Sequence, residues 1–546
     1  MSEKVNEFSS IDVERITVNL VKRALKKMKD GKNDSLFNLQ SDCFTNGPDI
    51  LIQHLVNLLQ MYVTHGFVPN FILTCTLLPI VKDNLADITS SSNYRAIAGG
   101  SLLVKLLDIV ILLLEGDKLQ CDQLQFGFQA ESSTIMCSWT ATTVIEHYNR
   151  NGSVVYGCAM DLSKAFDMVE WVSLFRILID KEVSPAFLRI LMYVYTHQMC
   201  VVKWNSKFSL GFSVKNGVRQ GAVSSPILFS IYIDELIKKL RMSGLGCRFD
   251  GHYYGVVVYA DDLLLLSASR SGLQGMVSVC EKFALSRNLK FSTDIDPLKS
   301  KTKCILFSKS MNLKNNVAPI ILNGNALPWV DEVKHLGNIL ESNNSMTKDC
   351  LIKRGRYIGK VNSLLQELYF VQPSVLLKLI SIYCTSFYGS SLWNLYSASV
   401  NRIFSAWNVT VRNVFSLPRN AHRYIVESIS DICHPKVLLC SRYMKFIESL
   451  QTCKKSCVRY LALLVKDDRR TVTGRTISAI ARDCGTKRVS LSSKDVKKMK
   501  YIEVPTGEVW RNPFLQELLD VRAGCSIIPG VEMDELEELI KFVSSS

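Results

Sequence analysis

The stretch Gly255-Val256-Val257-Val258-Tyr259-Ala260-Asp261-Asp262-Leu263-Leu264-Leu265-Leu266 sets two apolar runs on either side of adjacent carboxylates. Apolar runs of this length predict two strands, and the break between them predicts a β-hairpin with Asp-Asp at its tip. Aspartate is common in turns, but two abutting carboxylates repel, and the usual turn glycine is missing. A cation between them would relieve that repulsion.

About a hundred residues upstream, the run Val154-Val155-Tyr156-Gly157-Cys158-Ala159-Met160 ends in Asp161 and continues as Leu162-Ser163-Lys164-Ala165-Phe166-Asp167, an expected helix. A carboxylate at a strand end is fixed by the sheet, which suits a metal ligand that must be tightly placed. The competing reading is an aspartate capping the helix that follows. If both strands share one sheet, Asp161 and Asp261 can face each other across two cations. Two Mg²⁺ ions roughly 3.5–4 Å apart activate a 3′-hydroxyl and stabilise a leaving pyrophosphate, and carboxylate and phosphate oxygens suit magnesium. Between the two elements lies Asn216-Gly217-Val218-Arg219-Gln220-Gly221-Ala222-Val223-Ser224-Ser225-Pro226. Its glycines allow close backbone approach to a base pair, and Ser225-Pro226 reads as N-cap and first helical position. An ordinary helix-entry turn is the alternative.

Composition bounds these readings. The chain has 546 residues, 47% of them hydrophobic and 9% aromatic, which excludes wholesale disorder. Its length suits roughly three or four units. The formal charge is +15, yet residues 503–546 hold nine acids against Arg511, Arg522 and Lys541, so the positive excess lies in the preceding part. Such a body suits a polyphosphate partner, although charge alone fits an RNA-binding scaffold equally well. The 17 cysteines are scattered without a Cys-x-x-Cys pair, which predicts free thiols in a reducing compartment rather than a zinc site. The polar start, residues 1–8, is no secretory signal. The most apolar run, residues 102–114, contains Lys105 and Asp108 and is too short to span a bilayer, so it is expected as a core helix with no membrane partner.

Helical spacing is expected over 11–32 and 50–64, the latter ending at His65-Gly66, and a strand over 73–81. Further strands are expected at 201–204 and 304–307, and helices at 225–240 and 272–287. Strands interleaved with helices, several as hairpins, predict an α+β domain on an antiparallel sheet. From about 345 to 465 the pattern is helical. Residues 454–500 carry fourteen Lys or Arg against four acids, before the acidic tail.

Three blocks, Asp161 to Asp167, Gly217 to Phe229 and Tyr259 to Asp262, resemble in order and spacing the core motifs of reverse transcriptases. Asp-Leu-Ser-Lys-Ala-Phe-Asp, Asn93-Tyr94-Arg95-Ala96-Ile97 and Gln125-Phe126-Gly127-Phe128 resemble those of non-LTR (LINE-type) retrotransposon enzymes. Ser300-Lys301-Thr302-Lys303-Cys304 and the block Tyr383 to Trp393 are similar to the jockey/CR1-like group. The resemblance covers about residues 18–480. It implies a right-hand polymerase: fingers over 11–150, a palm over 151–310, a connecting β segment over 311–344, a helical thumb over 345–465, and a basic then acidic extension over 466–546. It implies RNA-templated DNA synthesis from deoxynucleoside triphosphates onto a DNA primer. Asp161 and Asp261 would hold two Mg²⁺ ions with Asp262 in support, and Phe166 would exclude a ribose 2′-hydroxyl. Gln220 and Gly221 would touch the nascent base pair, and Lys82 and Arg95 would grip the triphosphate. Lys301 would donate a proton to pyrophosphate, with Lys303 as competitor. Ala96 stands where proline is usual, and Ala222 where a polar residue is common. The related elements encode an endonuclease upstream of the polymerase, which this chain is expected to lack, so a nuclease supplied in trans is expected; the protein itself is expected in the nucleus and cytoplasm. Three alternatives stay open: a viral RNA-dependent RNA polymerase, a group II intron maturase, and a catalytically silent nucleic-acid-binding relic.

Overall fold

The computed structural model describes residues 10–497 apart from 35, 36, 38, 85, 295–299, 309–316, 422–431 and 486–490. The acidic tail and the end of the basic segment lie outside the described residues. The chain divides into two units. The first comprises residues 1–137, 151–306 and 311–330, and the second 138–150, 307–310 and 331–546.

In the first unit, α1 (Val18–Leu25) and α2 (Asp49–His65) bury Leu20, Val21, Leu55, Val56 and Leu59 in one apolar core. Helix α2 stops where expected, because Gly66 adopts the left-handed conformation (φ +61°) that glycine accepts without penalty. Strands β1 (Thr74–Val81) and β2 (Tyr94–Gly99) pair antiparallel, with Ile80 opposite Arg95 and Leu78 opposite Ile97. The apolar run after them forms α3 (Leu102–Glu115), which packs into the same core as α1 and α2. No helix among the described residues is long and apolar enough to cross a membrane.

Helix α4 (Thr134–Arg150) leads to β3 (Val155–Asp161), then α5 (Trp171–Asp180), α6 (Pro185–Thr196) and β4 (Met199–Trp204). Strand β4 joins β1 in parallel, Cys200 opposite Cys75. Helix α7 (Ser225–Met242) precedes the hairpin strands β5 (Val256–Tyr259) and β6 (Asp262–Ser267). Helix α8 (Arg270–Ser286) and strands β7 (Lys303–Phe307) and β8 (Trp329–Val330) complete the second sheet, in the order β8-β7-β3-β6-β5. The hairpin and its pairing with β3 are antiparallel, but β7 and β8 run parallel, as do β1 and β4. The expected antiparallel pairing holds for β1 with β2 and for β3, β6 and β5, and these two parallel pairs make both sheets mixed. The chain between β1 and β4, and that between β7 and β8, is long enough to return for a parallel pair, which a short hairpin turn cannot do.

Two local expectations are corrected. After Asp161 the chain makes only a 3₁₀ turn, Ala165–Met168, because Lys164 takes a left-handed conformation (φ +48°) that no α-helix continues through. Helix α7 begins one residue early. Its N-cap is Ser224, whose hydroxyl donates instead to Asp108 Oδ2 at 3.0 Å, so it makes no side-chain cap.

The second unit holds the hairpin β9 (Glu332–His335) and β10 (Asn338–Glu341) with the helices α9 (Thr347–Glu367), α10 (Pro373–Cys384), α11 (Ala398–Val414), α12 (Pro435–Thr452), α13 (Ser456–Asp467) and α14 (Val472–Asp483). Its helical character matches the sequence pattern and extends some twenty residues beyond it. Residues 138–150 of α4 belong here: Arg150 pairs with Asp468 at 2.9 Å, and Glu146 accepts the Val472 N–H at 2.7 Å.

Candidate active site

Strand β6 lies between β5 and β3, and its register sets Asp262 directly opposite both Tyr259 and Asp161. Asp161 ends its strand as expected and caps no α-helix. Only Ala260 and Asp261 turn the hairpin, and Ala260 takes a left-handed conformation (φ +57°) that normally calls for glycine. The turn is held from outside. Gln125 Oε1 accepts the Ala260 N–H at 3.1 Å and the Gly127 N–H at 2.9 Å. Phe126 N donates to Val258 O at 2.7 Å, and Val258 N to Leu124 O at 3.0 Å, so residues 124–126 line the free edge of β5. Gly127 has to be glycine, since a Cβ there would lie 2.3 Å from the Ala260 nitrogen. The sequence pointed to this block only through its resemblance. Gln125 and Gly127 are thus site residues that periodicity and spacing missed.

Asp261 is half-buried. Burial raises its carboxyl pKa, and the Asp161 charge raises it further, while Arg95 and Lys301 pull it down. Asp161 has Lys301 Nζ 3.6 Å from its Oδ2, and its backbone N–H points at Thr302 Oγ1, 3.4 Å away. Asp161, Asp261, Asp262, Lys301 and Arg95 are therefore brought together. Lys82 is not: its Nζ donates to the Ser92 carbonyl at 2.7 Å, and it does not figure among the charges acting on Asp261.

Gln220 and Gly221 bridge β2 and the 3₁₀ turn that follows β3. Gln220 O accepts the Ala98 N–H at 2.7 Å, and its side-chain amide donates to Asp167 Oδ1 at 3.2 Å. Gly221 (φ +124°) packs so closely that a Cβ would meet Ala98 O at 2.6 Å. Phe166 O accepts the Val218 N–H at 2.8 Å, and its half-exposed ring stacks on Phe229 with centroids 4.7 Å apart. Phe166 is thus both packed and accessible, which leaves room for a ligand against its outer face.

Among the described residues no three His, Cys, Asp or Glu side chains converge as a metal cage would. The chemistry of the set still fits a hard divalent cation. The donors are carboxylate oxygens, and the Asp161 charge acts unfavourably on Asp261 in the absence of one.

Residues 80–340 match the family described as reverse transcriptase (RNA-dependent DNA polymerase). The chain is similar to the retrovirus-related Pol polyprotein from type-2 retrotransposable element R2DM of Drosophila melanogaster, 26% identical over 45% of this chain and 23% of that protein. It is likewise similar to the RNA-directed DNA polymerase from mobile element jockey of Drosophila funebris, 22% identical over 61% of this chain and 36% of that protein. Among solved structures it resembles apo telomerase from Candida tropicalis over 57% of its length and 62% of that chain, at 12% identity and a TM-score of 0.35. The chain thus spans roughly a quarter to a third of the length of these curated relatives. Residues 80–340 are thus matched as a reverse transcriptase domain, and these relatives are proteins of retrotransposable or mobile elements.

Proposed function

We propose that this domain is an active RNA-directed DNA polymerase that extends a primer 3′-hydroxyl with deoxynucleoside triphosphates on an RNA template. The observation that carries the reading is the meeting of Asp161 and Asp261, like charges brought together at adjoining strand ends with Arg95 and Lys301 in their field. Repulsion of that kind persists where a ligand compensates it. Asp161 and Asp261 would hold two magnesium ions, with Asp262 in support, and the ions would supply charge neutralisation at the attacking and leaving oxygens.

The protein's own groups do the rest. Arg95 forks onto the triphosphate, taking over from the carboxylates it now faces. Lys301, largely exposed, turns from Asp161 to the departing pyrophosphate and gives it a proton. Lys82 serves the triphosphate after leaving the Ser92 carbonyl. Phe166, backed by Phe229, blocks a ribose 2′-hydroxyl. Gln220 and Gly221, pinned to Ala98, gauge the new base pair.

The test is primer extension on poly(rA)/oligo(dT) with magnesium. Wild type incorporates dTTP well above UTP, and Asp161→Ala or Asp261→Ala each lowers incorporation at least a thousandfold, about 4 kcal/mol of barrier. Near wild-type activity in either variant sinks the site assignment. A wild-type chain that binds RNA but incorporates nothing is the silent relic instead.

A further inference from the structure

A cleft of ≈ 160 Å³ opens behind the Gly221 loop, and its charged lining is Lys32, Lys105, Arg219 and Asp108. Much of the remaining wall is small: Ala98, Gly99, Gly100 and Gly221 leave the backbone bare. Lys105, on α3, is half-buried. Burial lowers its pKa, the charges of Lys32 and Lys29 lower it further, and no acid acts on it. Three lysines thus press on one another with no counter-ion among the described residues. Arg219 is 9% exposed, and its Nε and Nη2 have no hydrogen-bond partner among the described residues. Its Nη1 reaches only the Cys75 sulfur at 3.7 Å, and its guanidinium lies over the Tyr195 ring.

The one acid in the lining is already engaged. Asp108 accepts from Ser224 and faces the charge of Arg219, while burial pushes its pKa up. Asp108 therefore offsets Arg219, and Lys32 and Lys105 stay uncompensated. The end of α3 contributes little: its Leu102 N–H goes to Asp34 Oδ2 and its Leu103 N–H to Ser101 Oγ. Of the cleft's cations Lys32 is exposed, but half-buried Lys105 and buried Arg219 are costly to fold without partners, and an anion is what would make them favourable.

We propose that this cleft seats a phosphodiester of the single-stranded RNA being copied, held by Lys32 and Lys105 with the unpartnered N–H groups of Arg219 behind them. The proposal rests on the reverse-transcriptase reading for the identity of the strand. A bound triphosphate is disfavoured because the cations acting on Asp261 are Arg95 and Lys301, not Lys32 or Lys105. The bare glycine wall suits a strand that must slide, since it offers no side chain to catch a base.

The experiment measures binding of a labelled oligo(rA) to the full chain in EDTA, without nucleotide, across a KCl series. It reads the cleft whether or not the aspartates catalyse. Each single-strand phosphate contact contributes about 0.7 to the slope of log K against log salt. Lys32→Gln with Lys105→Gln should make that slope shallower by roughly one unit and weaken binding several-fold at moderate salt. Lys105→Gln alone should raise Tm without RNA, which a merely structural lysine would not do. Lys32→Gln, at an exposed position, carries the test by itself if the buried change misfolds. An unchanged slope in a folded variant overturns the proposal. So does a rise in KM for dTTP without weaker RNA binding, which would assign the cleft to free triphosphate.

Discussion

Gly127 carries no side chain because the Ala260 nitrogen occupies the place a Cβ would take. The positive φ of Ala260 is costly for a residue with a Cβ, and the two N–H groups on Gln125 Oε1 hold it there. Gly127→Ala should therefore lift the hairpin tip, costing about 1–3 kcal/mol in a urea melt and most of the primer extension. Retained extension at full stability would show that the tip tolerates displacement. The tip itself was legible, because two apolar runs around Asp261-Asp262 have few other structures to adopt. Its support was not, because Gln125 and Ala260 are 135 residues apart and periodicity carries no information over that range. The helix expected after Asp161 failed at a single residue, Lys164, whose left-handed backbone is set by the fold around it.

At the scale of elements, the block from Tyr383 to Trp393 entered as a resemblance without a physical reason, and the second unit supplies one. The Trp393 indole donates to Asp349 Oδ2 at 2.8 Å, and the Lys353 ammonium donates to the same oxygen at 2.8 Å and to Asn338 Oδ1 at 2.7 Å. Asp349 Oδ1 accepts the Ile339 N–H at 3.0 Å, so this pair ties α9 to β10 and to the loop after α10. Burial lowers the Lys353 pKa, and Asp349 works against that shift. A buried pair is expensive to break from one side, so Asp349→Ala should cost about 3–5 kcal/mol. Asp349→Leu with Lys353→Met should cost less than the two single changes summed, measured by chemical denaturation as a double-mutant cycle. Strict additivity would show that the pair is not a unit. The helices around it were readable from apolar spacing. The polar network was not, since Asp349, Lys353 and Asn338 are ordinary surface residue types when read alone.

For the molecule as a whole, pH stability should carry the mark of His335. It is buried, its Nδ1 meets the Ser138 hydroxyl at 2.9 Å, and burial lowers its pKa from 6.5 to about 4. A depressed histidine keeps its full contribution above the unfolded value of 6.5 and loses it as pH falls towards 4. That difference is worth roughly 3 kcal/mol. Melting temperature should therefore fall between pH 6.5 and pH 4.5, and His335→Gln should flatten the fall. An equally steep decline in the variant would place the acid sensitivity elsewhere.

The order in which the chain supplies its two units has a consequence for inheritance. Residues 138–150 leave the first unit, serve the second, and return the chain to β3. Neither unit is therefore one uninterrupted stretch of gene. A truncation after about residue 330 would keep most of the first unit but strand the helical residues 138–150, whose partners are gone. An exchange that imported the later helices would arrive without the segment they pack against. The two units are thus expected to be lost, kept or replaced together, and recombinants joined between them should be rare among descendants.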